Sequence, residues 1–221
     1  CPIYYIKQNN KLSEVIVTEY LFDGIRQDED AHDIIIEPDN LNIMPGSVEG
    51  DILSAIQFLP GIYSTSESLN SIHIRGGTPD QNLILWDGIP VYHTSHFFGN
   101  ISAFNPMVIE EVNVHRSAIA SKFGGRVSGV IDISSRDSVP SQFDIGASAN
   151  MTHVGLHSEI PLWRDGGLII SSRSSLTQNW DSPTFNNYAE KVFQGTKLED
   201  SDFGTSELDI QNKFQFNDAS I

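Results

Sequence analysis

The chain has 221 residues, of which 39% are hydrophobic, and a formal net charge of −16. This charge argues against a nucleic-acid-binding protein, because such proteins neutralise phosphates with an excess of Lys and Arg. No run approaches the ~20 apolar residues of a membrane-spanning helix, whereas the alternating strands of a membrane β-barrel would give a similar composition.

The charges are spread unevenly along the chain. Residues 1–70 carry 12 acidic and 3 basic residues, residues 71–135 carry 5 and 4, and residues 136–221 carry 12 and 6. We therefore expect the nearly neutral middle segment to pack inside another structure and the flanks to be solvated. Cys1 is the single cysteine, which excludes an internal disulfide and a cysteine-based metal site within the chain.

The first 46 residues predict a mobile lead with little that could pack. Two short β-prone segments, 11–18 and Ile34–Ile36, flank an acidic tract at residues 27–33. These segments are the two strand candidates of the lead.

A helix is predicted next, over residues 48–58. Pro45-Gly46-Ser47 supplies a turn and a cap, and apolar residues then follow helical spacing. We expect the helix to pack through Ile52 and Ile56 and to end before Pro60, which disfavours helical geometry at the preceding residue.

Short strands and turns then run from Ser71 to Ser135. Ser71–Arg75 alternates between polar and apolar residues before Gly76-Gly77, and a hydrophobic run at Leu83–Trp86 stops at Asp87-Gly88. Ile109–Val114 and Val130–Ile133 are two further predicted strands.

The pattern changes after residue 136. Apolar residues occupy odd positions from Phe143 to Met151 and even positions from Val154 to Ile160, which predicts two strands joined by a tight hairpin. A turn at residues 161–167 and a third strand at 168–176 follow. Residues 177–205 are predicted to be a long loop, and a fourth strand is expected to place Leu208, Ile210, Phe214 and Phe216 on one face.

Four blocks of this sequence, in this order, carry a family resemblance. IHIRGG, LILWDGIPVY, NPMVIEEVNVHR and KFGGRVSGVIDISS lie between residues 72 and 135. Together they closely resemble the plug domain of TonB-dependent outer-membrane receptors. The resemblance implies active uptake of a scarce, bulky nutrient across the outer membrane of a Gram-negative bacterium, with the substrate a siderophore, corrinoid, glycan or peptide.

The resemblance also implies the fold and the domain boundaries. We expect a lead at 1–46, an α+β plug domain with a small mixed sheet at 47–136, and about four antiparallel strands of a transmembrane β-barrel at 137–221. Residues 177–205 would form an extracellular loop, since loops on that side of such barrels are long. The family's barrel has about 22 strands, so we expect the chain to be a fragment, or the ordered part, of a larger receptor.

The same resemblance assigns candidate site residues. Loops at the top of the plug form the floor of the substrate site, and aromatic and imidazole groups there suit stacking on a ligand. The candidates are Asp80, Gln81, Tyr92, His93, His96, Phe97 and Phe98, although Phe97 and Phe98 could equally pack the loop against the plug. Two imidazoles leave a zinc site half-built, so no metal is expected at His93 and His96.

Two further assignments concern contacts and partners. Arg75 and Arg116 match plug arginines that pair with barrel carboxylates, so we expect them to be largely buried; pairing with Glu110 or Glu111 inside the plug is the alternative. Residues Glu14, Val15, Ile16, Val17 and Thr18 resemble the TonB box, which binds the energy-transducing protein TonB by strand addition. A surface-exposed substrate-binding lipoprotein and outer-membrane lipid are the other expected partners.

We expect neither an enzyme nor a cofactor. The chain has no Gly-x-Ser-x-Gly nucleophile motif and no phosphate-binding loop. Two other functions remain open at this point: a soluble β-rich ligand-binding or adhesive module without transport, and a receptor that also signals to a sigma-factor regulator.

Overall fold

The computed structural model describes residues 20–28, 33–41, 51–66, 68–117, 119–163, 166–177, 182–193 and 214–221. Its strands are β1 (Tyr20–Phe22), β2 (Ile25–Gln27), β3 (Ile34–Ile36), β4 (Ile62–Ser64), β5 (Ile72–Ile74), β6 (Leu83–Trp86), β7 (Ile89–Pro90), β8 (Ser95–His96), β9 (Ile101–Ser102), β10 (Ile109–His115), β11 (Val130–Ser135), β12 (Asp144–Ala149), β13 (His153–Leu162), β14 (Gly166–Ser175) and β15 (Asn217–Ser220). The α-helices are α1 (Ile52–Ile56) and α2 (Pro183–Phe193).

A seven-stranded mixed sheet with the order β1-β2-β3-β10-β11-β6-β7 organises the first half of the chain. Among the described strands of this sheet, only β11 and β6 pair in parallel. Isoleucines of β3 and valines of β10 alternate into the core beneath helix α1, where Ile34, Ile36, Val112 and Val114 are fully buried. The predicted α+β domain with a small mixed sheet is thereby confirmed.

The described helix α1, Ile52–Ile56, is shorter than the helix predicted over residues 48–58. The carboxylate of Asp51 caps the helix by accepting a hydrogen bond of 3.1 Å from the backbone N–H of Leu53. Ile52 and Ile56 are buried as expected, which stabilises the fold by about 1.5–3 kcal/mol for each side chain. The predicted start at residue 48 lies outside the described residues.

Some of the predicted lead belongs to the sheet, which corrects the expectation that residues 1–46 contain little that packs. β1, β2 and β3 form an antiparallel meander, and β3 pairs with β10. Ile25, Ile34 and Ile36 are fully buried. The sequence hides this because the apolar partners of these short strands lie on β10, far along the chain.

A second, four-stranded antiparallel sheet has the order β12-β13-β14-β15. The change of parity predicted near Thr152 is present, since Ala149 pairs with Val154 across the β12–β13 hairpin. One face carries apolar side chains and is exposed: Ile145, Val154, Leu156, Leu162 and Ile170 are each at least 38% exposed. The other face carries polar residues, and it is the face that packs against the rest of the molecule.

Polar contacts of Asn105, Arg173 and Arg136 are among those that join that face to the preceding domain. The Asn105 side-chain amide donates to Ser171 Oγ at 2.6 Å, and the Arg173 guanidinium donates to the carbonyl oxygen of Ser102 at 3.2 Å. Arg136, just after β11, lies 3.6 Å from Glu159 of β13. The sheet is therefore apolar outside and polar inside, the reverse of a soluble sheet.

Two expectations for the last third of the chain need correction. Residues Pro183–Phe193 are the helix α2, within the segment predicted to be loop from 177 to 205. Its apolar residues Phe185 and Ala189 lie at helical spacing and are buried. The described portion of the fourth strand is Asn217–Ser220 and thus follows Phe214 and Phe216, whereas Leu208 and Ile210 lie outside the described residues.

Neither helix among the described residues has the length and apolar character that crossing a membrane requires.

Candidate functional site

The β6–β7 hairpin positions the loop that carries Tyr92 and His93. Asp87 and Gly88 form its two-residue turn with φ of 48° and 78°, the left-handed pair that matches the twist of a tight hairpin. The Asp87 carboxylate accepts hydrogen bonds of 2.8 Å from both the N–H and the hydroxyl of Ser135. This fixes the hairpin to the end of β11, and Tyr92 and His93 follow directly after β7.

A cavity of about 230 Å³ lies beside this loop. Asp80, Tyr92, His93 and Arg126 are among the residues that line it. Tyr92 is 82% exposed, and the Arg126 guanidinium lies 5.9 Å from the centre of its ring, a cation–π arrangement. The structure thus brings together three sequence-predicted residues and adds Arg126.

The electrostatics of the cavity combine an anion and a cation. A hydrogen bond from the Thr78 side chain lowers the pKa of Asp80, and the hydrogen bond to its own backbone N–H and the charge of Arg126 act in the same direction. These contacts favour the ionised form of the Asp80 carboxylate. An aromatic face, a carboxylate, a guanidinium and an imidazole can together stack on and hydrogen-bond a polar organic ligand.

The other predicted loop residues are placed elsewhere. The Gln81 side-chain oxygen accepts a hydrogen bond from the Thr78 N–H at 3.2 Å, and Gln81 lines a different cavity. Phe97 is 8% exposed and belongs to a buried cluster with Phe185 and Phe216. The side chain of Phe98 lies outside what the structure describes.

His96 packs inward rather than toward the cavity. Its ring stacks on Phe216 at a centroid distance of 5.1 Å. Burial lowers the pKa of His96, and the nearby charge of Arg173 lowers it further. The aromatic loop is therefore divided: Tyr92 and His93 face outward, and His96 and Phe97 hold the loop in place.

Arg75 and Arg116 border a second cavity, of about 440 Å³. Arg75 is exposed in a left-handed turn with φ of 50°, which differs from the burial expected of it. Arg116 is half-buried and donates to the carbonyl oxygen of Pro60; burial, and next the charge of Arg75, lower the pKa of Arg116. Within the described residues neither guanidinium forms an ion pair with a carboxylate, so their pairing with carboxylates elsewhere in a receptor stays a prediction.

Sequence reasoning missed one buried ion pair. Arg173 of β14 is 2% exposed and donates two hydrogen bonds to Asp218 of β15, at 2.9 and 2.6 Å. The sequence did carry a signal for this pair, because both residues lie on the polar face of strands whose side chains alternate between polar and apolar.

Two further predictions concern metals and the TonB-box-like segment. Within the portion of the chain that the structure describes, no group of three His, Cys, Asp or Glu residues is placed to hold a metal ion. Residues 14–18 lie outside the described residues.

Comparison with known proteins supplies the context for this geometry. Residues 44–131 match the family model described as the TonB-dependent receptor plug domain, whereas no curated protein matches the chain.

Two solved structures resemble the fold. One is a mutant of the ferric enterobactin receptor PfeA from Pseudomonas aeruginosa, with 20% identity and a TM-score of 0.49 over 67% of this chain and 25% of that one. The other is the siderophore receptor PirA from Acinetobacter baumannii, with 22% identity and a TM-score of 0.46 over 65% and 24%. The chain thus spans about a quarter of the length of these receptors.

Proposed function

We propose that this chain, whose residues 44–131 match the TonB-dependent receptor plug domain, belongs to an outer-membrane importer of a Gram-negative bacterium. The receptor takes up a scarce, bulky nutrient with energy supplied through TonB. The observation that carries this proposal is the inverted polarity of the four-stranded sheet. Its apolar face is exposed, and its polar face packs on the plug domain.

Strands β12, β13 and β14 each expose apolar side chains. In water this exposure carries a free-energy cost. Ile145, Leu156 and Leu162 are 68%, 59% and 51% exposed, and each would gain about 1–2 kcal/mol from transfer of that exposed part to an apolar environment. Lipid provides that environment, and strands that alternate apolar-out and polar-in are the pattern of outer-membrane barrels.

In this receptor the four-stranded sheet is part of the barrel wall. Open sheet edges cannot face lipid, because their backbone groups would stay unpaired. In the receptor, further strands of the wall continue from β12 and from β15. The polar face then lines the lumen, where the plug domain sits.

The cavity at Asp80, Tyr92 and His93 is the proposed plug contribution to the substrate site. Tyr92 presents a ring that is 82% exposed, and Asp80 and Arg126 offer charged hydrogen-bonding groups beside it. His96 and Phe97 support the loop, and Gln81 fixes the turn before it. Barrel loops would supply the remaining contacts.

Coupling to TonB is assigned to residues 14–18. They directly precede the β1–β2–β3 meander, so a pull on them acts first on the edge of the seven-stranded sheet. A surface lipoprotein that delivers substrate remains a candidate partner.

The competing function is a soluble ligand-binding or adhesive module. Such a module would bury the apolar face of β12–β14 against a core of its own. In the described residues that face is exposed instead, which favours the transporter.

Growth on single nutrients tests the proposal. The gene encoding the full receptor is deleted, and growth is measured on limiting ferric siderophores, corrinoids, glycans or peptides, with a strain lacking TonB as comparison. We expect loss of growth on one nutrient class in both strains and recovery on complementation of the first. Growth unaffected on every class, together with recovery of the protein in the soluble fraction, would contradict it.

A further inference from the structure

Arg173 lies at the junction of the two sheets, and its charge is balanced within the four-stranded sheet. β14 and β15 place Arg173 directly opposite Asp218, and two hydrogen bonds of 2.9 and 2.6 Å join the side chains. The Arg173 side chain is 1% exposed. A buried guanidinium is costly unless it is paired and its donors are used.

The same guanidinium reaches across to the plug domain. Its Nη2 donates to the carbonyl oxygens of Ser102 and Ala103 at 3.2 and 3.4 Å. Two residues along β14, Ser171 Oγ accepts from the Asn105 amide at 2.6 Å. The plug segment 102–105 is therefore docked on one strand of the other sheet by hydrogen bonds, one set of them charge-assisted.

That segment is one arm of a small hairpin whose other arm leads to the candidate site. β8 pairs with β9 through Ser95–Ser102 and His96–Ile101. The Ala103 N–H donates to the Thr94 carbonyl oxygen at 3.1 Å, which closes the hairpin directly beside His93. The position of Ser102 and Ala103 is thus transmitted to Tyr92 and His93 through one hydrogen bond and the chain itself.

Two rings of the hairpin, those of His96 and Phe97, also make contacts outside it. His96 stacks on Phe216 at 5.1 Å, and the Arg173 guanidinium lies 5.7 Å from the centre of the Phe216 ring. Phe97 contacts Phe185 of α2 at a centroid distance of 5.0 Å. Arg173 thus contacts the same ring, Phe216, on which His96 stacks.

We propose that Arg173 is a positioning residue for the substrate loop: through Ser102 and Ala103 it fixes the hairpin 94–103 to the barrel wall and so sets where Tyr92 and His93 meet the ligand. This inference rests on the proposed function for the identity of the loop and of the wall. Asp218 orients the guanidinium and balances its charge.

Distance measurements between spin labels test the proposal without any ligand. In the full receptor, with Cys1→Ser, labels are attached at His93→Cys and Trp163→Cys, both exposed positions, of which Trp163 is 92% exposed. The distance distribution reports the loop relative to the wall. We expect a narrow distribution with Arg173 and Asp218 present.

An exchanged pair separates the ion pair from the contact with the plug. Arg173→Asp combined with Asp218→Arg retains opposite charges across β14 and β15 but moves the donor one strand away from Ser102 and Ala103. We expect the distribution to broaden and shift. Arg26→Met is the matched control, since Arg26 also bonds two carboxylates, Glu37 and Glu111, and it should leave the distribution unchanged.

Retention of the wild-type distribution in the exchanged pair would overturn the proposal. If that variant does not fold, Arg173→Lys decides, because a single ammonium cannot serve Asp218 and both carbonyls with the same geometry. Partial broadening supports the proposal, and an unchanged distribution refutes it.

Uptake kinetics give a second readout that a merely structural role would not produce. For the nutrient identified by growth, we expect Arg173→Lys to raise the half-saturating concentration roughly tenfold, from the loss of a charged hydrogen bond, with an unchanged maximal rate. A fall in the maximal rate alone would contradict a positioning role. The distances do not depend on transport, so failure of this proposal is distinguishable from failure of the proposed function.

Discussion

At the scale of single residues, the loop Tyr92–Ser102 divides its aromatic side chains between two tasks. Tyr92 is exposed beside Asp80 and Arg126, whereas Phe97 is buried and His96 stacks on Phe216. Sequence alone indicated the aromatic content of the loop. It could not indicate the division, because the apolar partners of Phe97 come from α2 and from the chain before β15.

Replacement of the exposed ring tests the binding role. Tyr92→Ala removes a stacking surface worth about 0.5–1.5 kcal/mol, so we expect the affinity for substrate to fall roughly two- to twelvefold with the fold intact. Equilibrium binding to the purified receptor measures this. Tyr63→Ala serves as the control, since Tyr63 is 47% exposed and stacks on His73; an equal loss in both variants would argue against a specific site.

The lowered pKa of His96 predicts that the stability of the hairpin 94–103 depends on pH. Burial and Arg173 lower the pKa of His96 below its usual 6.5, so the unfolded state binds more protons than the folded state between the two pKa values. Stability conferred by the neutral ring is therefore present above about pH 6.5 and is lost as the pH falls toward the lowered folded pKa.

Hydrogen exchange of the amides in 94–103 measures this effect. Exchange corrected for intrinsic rates should accelerate between pH 7 and pH 5, and His96→Phe, which retains a ring for Phe216, should remove that component of the acceleration. An identical pH profile in the variant would exclude His96 as its source.

At the scale of secondary-structure elements, the sheet β12–β15 shows which sequence patterns are reliable. Strand parity predicted the hairpin between Ala149 and Val154, because side chains alternate faces whatever their partners. Helix α2 was missed: it lies in a segment rich in Asn, Asp, Ser and Thr, although Phe185, Tyr188 and Ala189 follow helical spacing. The order of the seven strands was not predictable, since pairing between distant segments leaves no local pattern.

A charge on the apolar face tests the assignment of that sheet. Leu156→Arg places a guanidinium toward lipid and should cost about 2–4 kcal/mol near the bilayer midplane, reducing the amount of folded receptor in the outer membrane. Asp144→Arg, on the opposite face and also exposed, should be tolerated better. Heat-modifiable mobility on gels quantifies both, and equal folded yields would contradict a lipid-facing role for Leu156.

At the scale of the whole molecule, the plug domain and the four-stranded sheet meet through polar contacts. Arg173, Asn105 and Arg136 each bridge them. The family resemblance predicted that Arg75 and Arg116 contact the barrel, and this stays a prediction. Those two carry a family motif, whereas the bridging residues are recognisable only once the inner face of β13 and β14 is known.

A proline in the coupling segment tests energy transfer. Ile16→Pro removes a backbone donor and restricts φ, which a paired strand centre tolerates badly. We expect uptake to fail while equilibrium binding of substrate is retained. Lys11→Pro, outside residues 14–18, is the control; normal uptake by the Ile16 variant, or loss of binding along with uptake, would place the coupling segment elsewhere.

The position of β1–β3 at the margin of the seven-stranded sheet has a mechanical consequence. The β3–β10 ladder joins this meander to the rest of the sheet. The ladder is short and runs from the pair Ile34–Val114 to the pair Ile36–Val112. A force applied ahead of Tyr20 loads the outermost strand first, so the ladders separate in sequence instead of all at once. Because Ile25, Ile34 and Ile36 leave the core with them, such a rupture would expose β10 and open a gap in the core beside it, while the segment docked on β14 stays in place.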